Sequence, residues 1–458
     1  MKIFDLIVIG SGGGTKIGTP AAKLGKKVAV IEERRFGGTC LNRGCIPSKM
    51  LIHPANIICH ALEAEKLHVH FKKPEVGFST LVEELNNTID EESESIPKNY
   101  DNIPTLEYFI GRARFKDDNT VVVNNEELQA DTIIVATGAK PRIPEIPGLK
   151  DTPFMTSEEA LKNTTLPESL VVIGGGYIAC ELGHAYASFG SKTTFLVRSK
   201  LLSAEDDEVR EEFTKAFSEK HQILLNTNTT KVEYENNTFR THYIQDGEEK
   251  VIESEALIVA AGVVPNSSDM GLENTSIEVD SLGFIKVNDH LQASKNVYAL
   301  GDVVGTFLFR HSVNFEGEYL FNELFGEQQG KPIKYPPMPH AVFTHPEIAG
   351  VGATEQDLQK QGVAYVVGKN AYKSSAMGMA RKPQHGFVKL LFDKETRVLL
   401  GAHIIGDEAS VMIHQAIHAI TYKATLDDLL GIIYIHPALP EIFRNACRKA
   451  KAEFDKGQ

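Results

Sequence analysis

The chain has 458 residues, of which 42% are hydrophobic, and its formal net charge at pH 7 is −13. A chain of this length exceeds one ordinary hydrophobic core, so we expect about two to four domains. The negative charge argues against a nucleic-acid partner or an anionic membrane surface, and no stretch approaches the roughly 18 apolar residues of a membrane span. The N-terminus lacks the basic region and apolar run of a secretory signal, so we expect a cytoplasmic protein.

Cysteine usage limits the kind of sulfur chemistry that is expected. The chain has only five cysteines, at positions 40, 45, 59, 180 and 447. This odd and sparse number is not typical of a secreted disulfide framework. A structural zinc site usually needs paired CxxC-like knuckles, and the sequence has no second knuckle, so no metal site is predicted. Any disulfide in this chain is therefore expected to take part in a reaction.

The first predicted elements form a nucleotide-binding unit. The opening KIFDLIVIGSGGG is an apolar run that ends in glycines, and a helical stretch and a second strand, KKVAVIEE, follow it. This order predicts a dinucleotide site, with Gly10 in the tight turn, Gly12 close to the pyrophosphate and Glu32 on a ribose hydroxyl. The third glycine position of the motif is Thr15, and Pro20 is predicted to interrupt the following helix.

A pair of cysteines follows the second strand. GGTCLNRGCIPSK, residues 37–49, contains Cys40 and Cys45, with Gly44 directly before the second cysteine. This spacing predicts that both thiols lie on the first turn of one helix and meet at bonding distance. A helix N-terminus lowers a thiol pKa, which would make one sulfur a ready thiolate. Two reduced, buried cysteines are the alternative at this point.

A second nucleotide-binding unit lies farther along the chain. LPESLVVIGGGYIACELGHAYASFGSKTTFLVR, residues 166–198, repeats the strand, glycine turn, helix and strand, with Gly174, Gly176 and Ala179 at the GxGxxA positions. Two such sites imply two nucleotides. Together with the cysteine pair, these two sites suggest an electron relay. In such a relay a nicotinamide delivers two electrons, a flavin accepts them and a disulfide exchanges them with a substrate.

Several motifs together resemble the class I flavoprotein disulfide reductases, the pyridine nucleotide-disulfide oxidoreductase family. GGTCLNRGCIPSK resembles the redox-active segment of that family, IIVATGAKPRIPEIPG the exit from its flavin domain and NVYALGDVVG its second flavin motif. AVFTHPEIAGVG resembles the start of its dimerisation domain, and YIHPALPE the segment that carries the catalytic base. The resemblance covers nearly the whole chain.

The resemblance implies a fold class and a set of domains. We expect an α/β fold with two Rossmann-like dinucleotide-binding domains, one for FAD and one for NAD(P), and a C-terminal α+β dimerisation domain. The expected domains are residues 1–146 for FAD, 147–265 for NAD(P), 266–335 as a central segment that completes the FAD domain, and 336–458 as the interface domain.

The same resemblance implies roles for the residues around the cysteine pair. Cys45 would face the flavin as a thiolate, and Cys40 would attack or release the substrate disulfide. Lys49 would lie beside the flavin and pair with Glu181, because a cation there stabilises a reduced, anionic flavin. Without the resemblance, Lys49 and Glu181 would be predicted to be ordinary surface charges.

A histidine and a glutamate near the C-terminus complete the implied catalytic set. The reaction moves a proton on and off a thiol near neutral pH, which suits an imidazole oriented by a carboxylate. His436 and Glu441 have the spacing of the family's base pair. In the family this pair comes from the partner subunit, so the resemblance implies a homodimer.

The remaining implied positions bind the cofactors FAD and NAD(P)H. The implied cofactor-binding residues are Gly10, Gly12, Gly14, Glu32, Gly38, Thr39, Lys49, Ala113, Thr137, Gly138, Gly301, Asp302, Gly174, Gly176, Tyr177, Ile178, Arg198 and Gly262.

The end of the second unit bears on the choice of nicotinamide. A strand that recognises the 2′-hydroxyl of NAD normally ends in an acid, whereas FLVRSK ends in Arg198, with Lys200 nearby. Cations at this point favour the 2′-phosphate of NADP, and a plain surface charge is the alternative. Ser203 stands where related NADPH enzymes often carry a further arginine.

We therefore predict an FAD-dependent NAD(P)H:disulfide oxidoreductase that resembles dihydrolipoyl dehydrogenase. It would pass electrons between a nicotinamide, FAD, the Cys40–Cys45 disulfide and a small dithiol or disulfide, with lipoyl groups on a partner protein as one candidate. The alternatives are an NADPH-dependent reductase of the mycothione reductase type and a flavoprotein component of a 2-oxo acid dehydrogenase assembly. A flavin oxidase or transhydrogenase would need neither the cysteine pair nor its base.

Overall fold

The structure is a computed structural model that describes residues 1–72, 74–326 and 329–456. The first part of the chain builds a largely parallel sheet with helices on its faces. Its elements are β1 (Lys2–Ile9), α1 (Thr15–Lys23), β2 (Val28–Glu32), α2 (Gly38–Arg43), α3 (Cys45–Glu63), α4 (Phe78–Tyr100), β3 (Leu106–Ile110), β4 (Arg114–Asp117), β5 (Thr120–Val123) and β6 (Glu126–Val135). Strand β1 pairs in parallel with β2 and β6. Every residue of β2 is buried, which suits the run VAVIE in a sheet covered on both faces.

The second part of the chain forms a smaller parallel sheet and an antiparallel meander. Its elements are β7 (Ala139–Pro141), α5 (Ser157–Ala160), β8 (Ser169–Ile173), α6 (Tyr177–Phe189), β9 (Lys192–Val197), α7 (Asp207–Ser218), β10 (Gln222–Leu225), β11 (Thr227–Glu235), β12 (Thr238–Gln245), β13 (Glu248–Ser254), β14 (Ala256–Val259) and β15 (Val263–Pro265). The parallel sheet has the order β10-β9-β8-β14, and β11, β12 and β13 form the meander.

The chain then returns to the first sheet. The returning elements are β16 (Gln292–Ser294), β17 (Val297–Ala299) and α8 (Arg310–Phe325). Strand β17 pairs in parallel with β6, so the order in the first sheet is β16-β17-β6-β1-β2-β3. Helix α8 packs on α1, which brings residues far apart in the sequence to the same glycine-rich turn.

The last part of the chain is an antiparallel sheet covered by helices. Its elements are β18 (His340–Val342), β19 (Ile348–Gly352), α9 (Glu355–Gln361), β20 (Tyr365–Ala371), α10 (Ala376–Arg381), β21 (Phe387–Asp393), β22 (Leu399–Ile405), α11 (Ala409–Met412), α12 (His414–Thr421), α13 (Leu426–Gly431) and α14 (Pro440–Lys456). The sheet order is β18-β19-β22-β21-β20, and α14 packs on β20 and β21. The predicted fold class is confirmed, and we propose the predicted boundaries for its domains.

Two details of the first nucleotide unit differ from the sequence analysis. Helix α1 continues through Pro20, so the predicted interruption is wrong. Its buried face, which includes Ile17 and Ala21, packs in the core below the sheet, and this packing outweighs the lost backbone hydrogen bond. The close approach of helix and strand falls at Gly14, where an added Cβ would lie 2.3 Å from a methyl carbon of Val8. Gly14 thus fills the role that the motif gives to its third glycine.

The turn before α1 requires glycine for a backbone reason. Gly10 has a φ of +105°, and a Cβ there would lie 2.2 Å from the carbonyl oxygen of Ala136. Thr15 adapts to the missing third glycine by donating a hydrogen bond from Oγ1 to the Gly12 carbonyl oxygen at 2.9 Å. In the described ranges, no helix is both long and apolar enough to cross a membrane.

Candidate active site

One cavity, of about 530 Å³, gathers most of the predicted site residues. It lies where the first glycine-rich turn, the cysteine segment, α6 and the returning chain meet. The predicted residues that line it are Gly10, Gly12, Glu32, Gly38, Thr39, Cys40, Cys45, Lys49, Ala113, Thr137, Gly138, Tyr177, Ile178, Glu181, Gly262, Gly301 and Asp302. The structure therefore brings the first nucleotide motif, the start of the helix after the second motif and the cysteine pair to one place.

Other predicted residues lie outside this cavity. Gly174 and Gly176 form the turn from β8 to α6, and a Cβ on Gly174 would lie 2.4 Å from the carbonyl oxygen of Ala260. Arg198 follows the end of β9 with its side chain exposed. Gly14 lies beneath the first glycine-rich turn, and the pair near the C-terminus lies on a separate surface.

The two cysteines occupy two helices rather than one. Cys40 lies in α2 and Cys45 is the first residue of α3, so the prediction of one shared helical turn is wrong. The chain leaves helical geometry at Gly44, with φ −141° and ψ −115°, and this break ends α2 before α3 begins. Cys45 is exposed to the cavity, Cys40 is half-buried, and both are free thiols. The break places Cys45 at the positive end of a 19-residue helix.

The environment makes the two thiols unequal. A hydrogen bond from Cys40 lowers the pKa of Cys45 to about 7, against the opposing effect of burial, and the positive charges of Lys49 and Arg310 lower it further. The pKa of Cys40 is raised by its hydrogen bond to Cys45 and by burial. In the reduced protein the negative charge of the pair therefore resides on Cys45.

An ion pair fixes the cation beside these thiols. Lys49 lies on α3, one turn after Cys45, and its Nζ is 2.8 Å from Oε2 of Glu181 on α6. The other carboxylate oxygen of Glu181 accepts a hydrogen bond from the backbone N–H of Phe343 at 3.0 Å. The ring of Phe343 also lies 4.4 Å from Nζ of Lys49. The sequence analysis missed Phe343, although it lies in the quoted AVFTHPEIAGVG motif.

The rest of the cavity fits a dinucleotide. In the described part of the chain, a Cβ on Gly138 or Gly262 would meet no atom within 4 Å, so the backbone lines open space at these positions. The carboxylate of Glu32 accepts hydrogen bonds from both the N–H and the hydroxyl of Ser11, at 2.9 and 2.6 Å, which fixes its position at the end of β2. Burial raises the pKa of Asp302 to about 6. Glycine backbone with a few oriented carboxyl groups suits a nucleotide with hydroxyl and phosphate groups.

His436 and Glu441 are joined but lie apart from the cavity. Nδ1 of His436 lies 2.9 Å from Oε2 of Glu441, and the backbone N–H of Ala438 and the guanidinium of Arg444 also donate to this carboxylate. The hydrogen bond from His436 is the main cause of the lowered pKa of Glu441. The Glu441 side chain is 4% exposed, whereas that of His436 is 69% exposed. The buried Glu441 thus orients the imidazole ring of His436 through Nδ1, and Nε2 of this ring remains available to exchange a proton.

Two profile matches cover most of the chain. The family described as "Pyridine nucleotide-disulphide oxidoreductase" matches residues 4–318. The family described as "Pyridine nucleotide-disulphide oxidoreductase, dimerisation domain" matches residues 338–447. The first match spans the cysteine pair and both nucleotide motifs, and the second spans His436 and Glu441.

Individual relatives are similar over nearly their whole length. The chain is 32% identical to dihydrolipoyl dehydrogenase 1, mitochondrial, of Arabidopsis thaliana over 467 residues, which cover 99% of this chain and 90% of the relative. It is 34% identical to dihydrolipoyl dehydrogenase of Haloferax volcanii, with 97% and 96% covered. A solved structure of the HOCl-induced flavoprotein disulfide reductase RclA from Escherichia coli superposes with a TM-score of 0.87 at 26% identity, with 97% and 99% covered.

The unequal thiols lead to a titration that can be measured. Below a pH of about 7 Cys45 is protonated, and above it the thiolate is present, so alkylation of Cys45 in the reduced, flavin-free protein should rise with a midpoint near 7. Lys49→Gln should move the midpoint upward, because it removes the cation that favours the thiolate. The measurement is iodoacetamide labelling across a pH series, with Cys45 followed by peptide mass spectrometry.

Lys66→Gln is the matched control. It removes the same charge just beyond the other end of α3, where Lys66 pairs with Glu63 at 2.9 Å, and should leave the midpoint unchanged. A wild-type midpoint near the ordinary value of 9.0, or no response to Lys49→Gln, would contradict the assignment of the charge to Cys45.

Proposed function

The chain belongs to the pyridine nucleotide-disulphide oxidoreductase family and is an FAD-dependent NAD(P)H:disulfide oxidoreductase, and from this premise we propose how its residues act. We propose that Cys40 and Cys45 carry two electrons between FAD and a small disulfide or dithiol of the lipoyl type. The observation that carries the proposal is the presence of both thiols in the cavity that also holds residues of the two nucleotide motifs. The relatives favour neither a mycothione reductase nor a component of a 2-oxo acid dehydrogenase assembly.

The cofactor positions follow from the cavity lining. In this proposal the first glycine-rich turn, Glu32 and Asp302 would hold FAD, and Tyr177 and Ile178 would border the nicotinamide. Bound FAD would supply a two-electron carrier between the nicotinamide and the Cys40–Cys45 disulfide. Lys49, held by Glu181 at 2.8 Å, supplies a fixed positive charge where negative charge develops. The glycines at positions 10 and 12 let the backbone approach the pyrophosphate.

The chain's own residues then carry out thiol–disulfide exchange. Cys40 loses its proton to His436 of the partner subunit and attacks one sulfur of the substrate, forming a mixed disulfide. The other substrate sulfur leaves as a thiolate and takes a proton from the same imidazole. The Cys45 thiolate then attacks Cys40, which releases the second substrate thiolate for protonation and re-forms the Cys40–Cys45 disulfide. One substrate disulfide is reduced to a dithiol, and the enzyme dithiol is oxidised; dihydrolipoyl oxidation is the reverse sequence.

A homodimer is part of this proposal. Residues 338–447 match a dimerisation domain, and His436 does not line the cavity of its own chain. Ile433 and Ile435, next to this histidine, are 99% and 79% exposed. An exposed apolar segment of this kind marks a protein interface. We therefore propose that each active site takes its base from the partner subunit, in a cytoplasmic enzyme.

Substrate and nucleotide preference are tested by steady-state turnover. Arg198 and Lys200 are exposed after β9, and the proposal assigns them to the 2′-phosphate of NADP. We expect lipoamide to be reduced faster than glutathione disulfide, with a higher kcat/KM for NADPH than for NADH. Fast reduction of glutathione disulfide with poor use of lipoamide would contradict the lipoyl assignment.

A charge reversal isolates the nucleotide preference. Arg198→Glu should shift the NADPH-to-NADH ratio of kcat/KM at least about tenfold toward NADH, because an acid repels the phosphate and accepts from a ribose hydroxyl. Lys192→Glu makes the same change at the exposed opposite end of β9 and should leave the ratio unaltered. An unchanged ratio in Arg198→Glu would mean that Arg198 is only a surface charge.

Assembly of the site from two subunits is tested by complementation. Cys45→Ser and His436→Gln homodimers should each lose nearly all lipoamide reduction. In a co-expressed mixture, a heterodimer contains one cavity with both cysteines that faces an intact His436, so activity should recover to about a quarter of wild type. Co-expression of Cys45→Ser with His436→Gln is compared with Cys45→Ser plus Cys40→Ser, where both lesions affect the thiol pair and no recovery is expected. A lack of recovery in the first mixture would contradict the shared site.

A further inference from the structure

A cation that no sequence motif singled out lines the same cavity. Arg310 is the first residue of α8, it is half-buried, and it shares the cavity with Gly12, Gly38 and the thiol pair. Within the described ranges its guanidinium has no carboxylate oxygen within 4.0 Å. A half-buried guanidinium facing a cavity with no ion pair favours an anionic ligand there.

Three other cations of the cavity are already neutralised by ion pairs, whereas Lys140 is exposed to solvent. Lys49 pairs with Glu181 at 2.8 Å, and Arg43 lies 3.3 Å from a carboxylate oxygen of Glu158. Arg112 lies between two carboxylates, 3.8 Å from Glu33 and 3.6 Å from Asp269. The charges of these three side chains are compensated by carboxylates of the protein, whereas no carboxylate of the described residues forms an ion pair with Arg310.

Close packing fixes the place of Arg310 above the first glycine-rich turn. A Cβ on Gly13 would lie 2.2 Å from a methyl carbon of Val313, one turn after Arg310 on α8. A Cβ on Gly317 would lie 2.7 Å from Cβ of Lys16 on α1. The start of α8 is thus held directly against the turn that precedes α1. Nη1 of Arg310 lies 3.8 Å from the position that a Cβ on Gly12 would take.

The location decides between two anions, the Cys45 thiolate and a phosphate group. The thiolate already receives a hydrogen bond from Cys40 and is stabilised by the positive charge of Lys49, so it does not depend on Arg310 for compensation. Gly12, by contrast, is the motif position at which the backbone would approach the pyrophosphate. Among the residues that the structure describes, no other charged side chain is found within 4 Å of its Cβ position. The planar guanidinium can donate two parallel hydrogen bonds to phosphate oxygens.

We propose that Arg310 binds the pyrophosphate of FAD, opposite the Gly12 turn, and so acts as a cofactor-binding residue outside the glycine-rich motifs. This inference rests on the assignment of FAD to the cavity. It gives the first nucleotide site a side-chain charge in addition to the backbone N–H groups and the helix N-terminus that the motif supplies. Arg310 thereby links α8, which follows the second flavin motif, to the turn formed by the first.

The test uses the FAD-loaded dimer and two readouts that do not depend on turnover. Arg310→Gln should release FAD at least about tenfold faster, because a charge-assisted bidentate contact is lost, and Arg310→Lys should fall between it and wild type. FAD release is followed by the rise in flavin fluorescence. Phosphorus NMR of the bound FAD reports on the contact directly, and both pyrophosphate resonances should shift in Arg310→Gln.

Arg112→Gln is the matched control, because it removes a cation of the same cavity that is already paired. It should change the release rate by less than about twofold. Equal acceleration in both variants, or unshifted phosphorus resonances in Arg310→Gln, would overturn the proposal. A shifted alkylation midpoint of Cys45 with unchanged FAD release would overturn it in favour of the thiolate. A wild-type protein that retained no FAD would instead contradict the placement of FAD on which the inference depends.

Discussion

The ion pair between Lys49 and Glu181 is the interaction on which the rest of the site depends. It joins α3, which begins at Cys45, to α6, which begins at the second glycine-rich turn. The second oxygen of Glu181 binds the backbone of Phe343, in the segment between β18 and β19. One nearly buried carboxylate therefore connects the first sheet, the second sheet and the C-terminal sheet. Loss of one partner of such a pair leaves a buried charge uncompensated, which typically costs about 3 kcal/mol or more when burial is complete.

The same arrangement explains why two chemically identical thiols have different roles. Cys45 begins a helix, receives a hydrogen bond from Cys40 and lies near a fixed cation, so it is the better thiolate. Cys40 lies in a separate short helix and keeps its proton, so it needs a base. The base that the chain offers, His436, is held by a buried glutamate yet exposed on another surface. The division of the thiols and the separation of the base together favour a site that two subunits complete.

Much of this arrangement could be predicted from the sequence because short motifs determine local geometry. The tight turn at Gly10, with its positive φ, is such a local feature. The Cys40–Cys45 spacing is local too, but it did not reveal that the chain breaks at Gly44 and places the two cysteines in separate helices. What the sequence did not reveal depends on packing between distant segments: α1 tolerates Pro20 because its other face is buried, and Gly14 takes the place of the glycine that Thr15 replaces. Phe343 belongs to the site because its backbone binds Glu181. Arg310 lies at the cavity because α8 packs on α1. No motif spacing encodes such contacts.

The most direct measurement is the location of the electrons after one equivalent of nicotinamide has been consumed. Oxidised FAD-loaded protein would be mixed with one equivalent of NADPH without oxygen, quenched with an alkylating reagent and mapped by peptide mass spectrometry. We expect two new labelled thiols, at Cys40 and Cys45, with no change at Cys59, Cys180 or Cys447. Consumption of the nicotinamide with no new label at Cys40 and Cys45 would show that electrons bypass the pair, and would contradict the relay.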